Sequence, residues 1–162
     1  MDHAVSQWDN AIFNLNITHY KIQSEPANQN PPIIVMLGGT PAEINARGLF
    51  DSNQIPASGV AGRVLFNPPS VVSTEGNWTH ISGDAKTGYT FQGIIGCVVD
   101  QGLILMENRY RMVATHELGH ALGWMGHTSD PDSIMYPNII LGVSITTLTD
   151  IDKRHLRQVY DR

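Results

Sequence analysis

The chain has 162 residues, enough for one domain with a sizeable core. Hydrophobic residues make up 41% and charged residues 15%, a globular composition that excludes a disordered chain. Ten Lys and Arg against 15 Asp and Glu give a net charge of -5, which excludes a basic face for nucleic acid or an anionic membrane and fits a peptide or protein partner.

No apolar run reaches membrane-spanning length, and Met1-Asp2-His3-Ala4-Val5 carries neither the basic region nor the apolar core of a signal peptide. The expectation is a chain that is intracellular or whose targeting segment has been removed. The one cysteine, Cys97, cannot form an internal disulfide and leaves the redox compartment open. Two sequons, at Asn16 and Asn77, matter only in a eukaryotic secretory route.

In chain order, Val5, Trp8, Ile12 and Phe13 fall at helical spacing and predict an amphipathic helix over residues 4–14. Leu15, Ile17, His19 or Tyr20, and Ile22 then change toward the period of a strand, and the polar, Pro-rich residues 24–32 read as a surface loop. Residues 33–37 are continuously apolar and closed by Gly38-Gly39, as in a strand buried on both faces. Thr40-Pro41-Ala42-Glu43 opens a short helix, with Pro at its first position and Glu43 as a capping-box acid. Residues 60–66 form a strand stopped by Asn67-Pro68-Pro69, which suits a sheet edge.

Residues 71–90 are rich in Gly, Ser, Thr and Asn and read as long loops, whereas 91–99 read as another core strand. From residue 103 to 124 the period turns helical. Leu105, Met112, Val113, Leu118, Ala121 and Leu122 are the buried positions there, with His116, Glu117 and His120 on the other side. Gly123 suits a helix C-terminus because it enters the left-handed region cheaply. Residues 149–160 form a closing amphipathic helix, N-capped by Thr149, with Ile151, Leu156, Val159 and Tyr160 on one side. There is no internal repeat.

The chemistry concentrates in His116-Glu117-Leu118-Gly119-His120. Four residues apart on a helix, the two imidazoles project from one face and can grip one metal ion beside Glu117. Zinc takes neutral imidazole nitrogens and, when catalytic, keeps a position open for water. His127, after a Gly-containing break, is the candidate third ligand, with Asp130 as the alternative. A zinc ion held by three histidines lowers the pKa of its bound water from the bulk value of about 15.7 to near 7. Glu117 can take that water's proton and deliver it to a leaving amine.

The bland alternative is a helix carrying surface histidines, since the bare motif arises by chance. His3, His19 and His155 have no partner pattern and read as surface or strand-face residues. His80 and Asp84 read as solvated before they read as a second metal site, and Cys97 as an inert buried thiol. Trp124 and Met125 suit packing beside the helix break, and Asp150 and Asp152 are favourable charges at a helix N-terminus.

Residues 113–123, His127 to Pro131 in sequence, and Ser133-Ile134-Met135-Tyr136-Pro137 together resemble the metzincin zinc endopeptidases, most closely the matrixin (matrix metalloproteinase-like) catalytic domain. Residues 148–160 resemble the C-terminal helix of that family, and the strong likeness covers residues 112–160. The resemblance implies an α+β, metzincin-like (zincin) fold: a twisted mixed β-sheet with an active-site helix and a C-terminal helix. It implies one catalytic domain over 1–162, with an upper sheet-and-helix part (1–123) and a lower part (124–162) holding the Met-turn and last helix.

By the same resemblance the chain is a zinc metalloendopeptidase acting on extended peptides. His116, His120 and His127 would bind one catalytic Zn2+, Glu117 would be general base and acid, and Met135 would form the Met-turn floor. Met112, Tyr136, Pro137, Asn138 and Ile139 would line the pocket for the residue after the scissile bond, a medium or large apolar side chain. The substrate would add to the edge strand by main-chain hydrogen bonds. Location would be secreted or extracellular.

Four departures from the family stand out. Three residues, Trp124, Met125 and Gly126, separate Gly123 from His127 where the family has two. The spacing from His127 to Met135 is the family's and favours His127 as ligand. The strand that normally precedes the first helix is absent, Gly62 and Arg63 stand where a histidine is usual, and there is no cysteine-switch segment. Ca2+ is compatible with the family but no motif supports it here. The alternatives are a catalytically silent metzincin-like zinc-binding module that recognises a peptide or protein partner, and a zinc hydrolase of non-peptide amides.

Overall fold

A computed structural model describes residues 1–11, 17, 33–46, 61–67, 94–100, 107–124, 126–138 and 145–160. In chain order these form α1 (Asp2–Asp9), β1 (Ile33–Gly39), α2 (Pro41–Ala46), β2 (Gly62–Asn67), β3 (Ile94–Asp100), α3 (Glu107–Ala121) and α4 (Asp150–Tyr160). The strand expected around residues 15–22, the loops at 24–32 and 71–90, and His19, His80, Asp84, Leu105, Met125 and Ile139 lie outside the described residues.

Helix α1 is shorter than its apolar periodicity predicts, ending at Asp9 with Asn10 as C-cap. The Asn10 side-chain amide donates to the Ser6 carbonyl at 2.6 Å, an acceptor its own N–H also uses, so the chain is offered a turn in place of another helical residue. Helix α2 starts as its sequence dictates. Glu43 Oε2 accepts from Thr40 N–H at 2.7 Å while Glu43 N–H donates to Thr40 Oγ1 at 3.3 Å, the reciprocal bonds of a capping box.

The three strands form a mixed sheet in the order β1-β3-β2. Strand β3, which contains Cys97, is central: it runs parallel to β1, with Met36 opposite Cys97, and antiparallel to β2, with Val64 opposite Cys97. Strand β2 is an edge among the described residues, as expected. Ile34, Met36 and Leu37 of β1 are only half-buried, short of the burial that their apolar run suggests, because β1 too has a single strand neighbour among the described residues. Mixed helix and strand content agrees with the α+β class.

Helix α3 lies against the sheet, touching all three strands, and against α1. Trp8 of α1 is fully buried, and its indole N–H donates to the Thr115 carbonyl at 2.7 Å. A side chain at Gly119 would put its Cβ 2.6 Å from Trp8 Cζ2 and 2.7 Å from Met135 Sδ, so the missing Cβ is what lets both residues reach the underside of α3. Leu118, Met135 and Leu156 complete the fully buried apolar centre. Removing Trp8 from such a core costs about 3–5 kcal/mol.

In α4, Leu156 is buried as expected, but Ile151 is 43% exposed. The inward position next to it belongs to Asp152, which is fully buried. Thr149 is the N-cap: Asp152 Oδ2 accepts from Thr149 N–H and Oγ1–H, both at 2.8 Å, and Asp152 N–H donates to Thr149 Oγ1 at 3.3 Å.

Candidate metal centre

Residues His116, Glu117 and His120 share one face of α3, but solvent does not cover that face. The edge strand and the turn after His127 close over it, so Glu117 is buried and the two histidines are half-buried. A Cβ on Gly62 would lie 2.5 Å from Val113 Cγ1 and 2.7 Å from Glu117 Oε1. The absence of a side chain at that strand position therefore brings β2 onto the carboxylate.

Helix α3 ends in a Schellman motif. Trp124 N–H donates to the Gly119 carbonyl at 2.9 Å and Gly123 N–H to the His120 carbonyl at 3.0 Å, while Gly123 takes φ 104°. The extra residue before His127 is absorbed by a second left-handed glycine, Gly126, at φ 80°. His127 thereby returns over the helix.

The side chains of His116, His120 and His127 converge, each offering a ligand atom within 4.8 Å of the others. His116 Nδ1–H donates to the Ile134 carbonyl and His120 Nδ1–H to the Trp124 carbonyl, both at 2.8 Å. Carbonyls only accept, so in the neutral rings both Nε2 atoms carry lone pairs. Those two Nε2 atoms lie 3.0 Å apart. Two acceptors that close repel unless a cation lies between them, and ligands of a tetrahedral zinc are about 3.3 Å apart. The donor set fits zinc.

Electrostatics agree. Burial, with the neighbouring His120 charge next in weight, holds His116 down at about 4, against the Ile134 hydrogen bond, which opposes it. Burial likewise lowers His120, against its bond to Trp124. Both rings are thus neutral at pH 7, the state a metal requires. Burial pushes the Glu117 carboxyl up to about 8 despite the opposing positive charge of Arg63. A dication beside it would favour the carboxylate.

The matrixin family profile matches residues 43–161, a span that holds the three histidines, Glu117 and Met135. The chain belongs to the matrixin family. Metalloendoproteinase 2-MMP of Arabidopsis thaliana is 34% identical over 110 residues, 65% of this chain and 25% of that protein. Matrilysin of Felis catus is 76% identical over 25 residues, 15% of this chain and 9% of that protein, and human matrilysin is 75% identical over 24 residues. The segment matched spans only a quarter of the plant relative's length.

In this matrixin, Met135 is fully buried against Gly119 of α3, and its carbonyl accepts from Thr128 N–H at 3.1 Å, tying the turn to the residue after His127. Asp130, the alternative ligand, lies outside the histidine cluster and accepts from Asp132 N–H at 3.0 Å instead. Met112 is buried on α3, Tyr136 is half-buried, and Pro137 and Asn138 are exposed. Among the described residues no helix is long and apolar enough to cross a membrane.

Three contributors are not visible as site residues in the sequence. Asp152 reads as a helix-terminal charge, yet it also accepts from Ser133 Oγ–H and from Ile134 N–H, and so fixes the turn whose carbonyl orients His116. The Thr-x-x-Asp spacing signals a cap but not that second role. Gly62 reads as a lost side chain and proves to be a packing requirement. His155, expected at the surface without a partner, is half-buried and stacks on Trp124 with ring centroids 3.9 Å apart.

Proposed function

We propose that this matrixin is a zinc-dependent endopeptidase with a metzincin fold, in which His116, His120 and His127 hold one Zn2+ and Glu117 serves as general base and then general acid. The observation that carries the reading is the pair of lone-pair-bearing Nε2 atoms 3.0 Å apart, each ring anchored through Nδ1 to a backbone carbonyl. Family membership supports it.

A bound zinc ion would supply Lewis acidity toward the scissile carbonyl and a water acidic enough to ionise near pH 7. Glu117 accepts the proton of the attacking water and delivers it to the departing amine. Burial of its carboxyl under Gly62 excludes bulk water from that transfer. Met135 is the apolar floor of the site and no ligand.

The substrate lies extended along β2, whose outer edge has no strand neighbour among the described residues, and binds by main-chain hydrogen bonds. Met112 and residues 136–139 line the pocket for the apolar side chain after the scissile bond. The cleft divides an upper part, residues 1–123, from a lower part, residues 124–162, within one domain. Its place of action is extracellular, as the resemblance implies.

Metal analysis together with digestion of a mixed peptide library, read by mass spectrometry, tests this. The expected result is one zinc per chain and cleavage before apolar residues. Zinc-loaded protein that cleaves no peptide would identify a silent binding module, and amide hydrolysis restricted to small non-peptide substrates would identify a different hydrolase.

A further inference from the structure

The turn after α3, one residue longer than the family's, begins at Trp124. Both polar groups of the Trp124 backbone are committed: its N–H closes the Schellman motif on Gly119 at 2.9 Å, and its carbonyl accepts His120 Nδ1–H at 2.8 Å. A Cβ at Gly126 would find no heavy atom within 4 Å. The anchor is the indole, 3% exposed, with His155 stacked on it at 3.9 Å and 30° and Trp8 beside it at 6.5 Å and 54°.

Trp8 is itself fixed by its hydrogen bond to the Thr115 carbonyl. His155 lies three residues after Asp152 on α4, and residues so spaced share a helix face. We propose that the Trp8–Trp124–His155 cluster, in which His155 stacks on Trp124 and Trp8 lies tilted beside it, is a positioning device for the second metal ligand, holding the Trp124 carbonyl where it aims His120 Nε2 at the metal. This rests on the zinc reading above. Helix α4 then supports two ligands: His116 by way of Asp152 and Ile134, and His120 by way of His155 and Trp124. His155 is a positioning residue and touches no ligand.

The test uses the whole chain stripped of metal and titrated with cobalt(II), whose visible absorption reports ligand geometry, and with zinc against a competing chelator. His155→Ala is expected to weaken binding of both metals about 10-fold and to alter the cobalt spectrum, the size typical when a partner orienting a ligand is lost. His155→Phe, which keeps an aromatic face on Trp124, is expected to restore affinity and spectrum. If the alanine variant does not fold, His155→Leu replaces it with the same expected weakening. Folded His155→Ala or His155→Leu with wild-type affinity and spectrum would overturn the proposal, as would failure of folded His155→Phe to restore them. Failure of the unsubstituted protein to bind either metal would instead overturn the zinc reading.

Discussion

Glu117 and His116, neighbours in sequence, are both perturbed mainly by burial, and their effects on folding oppose each other. In the metal-free protein His116 titrates at about 4, below its ordinary 6.5, so the unfolded chain takes the proton first and stability falls as pH drops from about 6.5 to about 4. His120 is lowered too and acts in the same sense. Glu117 titrates at about 8 against 4.5, so the unfolded chain ionises first and stability falls as pH rises from about 4.5 to about 8. Above pH 6.5 only the Glu117 slope remains. Chelated protein should therefore lose on the order of 2 kcal/mol between pH 6.5 and pH 8 in denaturant titrations, and Glu117→Gln should abolish that loss. Equal stability of the chelated protein at the two pH values would contradict the burial of an ionisable Glu117.

The elements that frame the site depend on glycines whose roles differ. Gly62 answers to sterics: Gly62→Ala drives a methyl into Val113 and Glu117, and peptidase activity should fall at least about 10-fold as the carboxylate shifts, with overpacking costing about 1–3 kcal/mol in denaturant titrations. Gly126 answers to backbone conformation alone. Gly126→Ala meets no neighbour but must hold φ 80°, so about 1–2 kcal/mol of strain favours a turn that moves His127, and zinc affinity measured against a chelator should drop. Unchanged affinity would show that His127 does not depend on this turn. The helix ends at Thr40, Gly123 and Thr149 are readable because a cap is a local exchange of hydrogen bonds over three or four residues. The contact of Gly62 with Glu117 joins positions 55 apart, and no local period encodes it. For a different, local reason α1 ends before the reach of Val5, Trp8 and Ile12: the Asn10 side chain competes for the Ser6 carbonyl, which apolar periodicity does not weigh.

Across the described residues as a whole, α4 and α3 are coupled through residues far apart in sequence. Asp152 accepts four hydrogen bonds, from Ser133 Oγ, Ile134 N, and Thr149 N and Oγ1, and thereby joins α4 to the turn that orients His116. Asp152→Ala leaves those donors buried and should cost about 3 kcal/mol in stability while also weakening zinc binding; Asp152→Asn, which keeps one acceptor, should lose less on both counts. The histidine trio is legible as a motif because two members share a helix turn and the third keeps its distance to Met135. The supports from Asp152, Trp124 and His155 are not, because they exist only once the two helices pack. In the proposed mechanism, hydrolysis depends on Glu117 acting beside a histidine-held zinc. The most direct measurement compares zinc content and peptide-library cleavage of the wild-type chain and Glu117→Gln: one zinc per chain in both, with cleavage by the wild type alone, is predicted, and a zinc-loaded Glu117→Gln variant cleaving at the wild-type rate would contradict it.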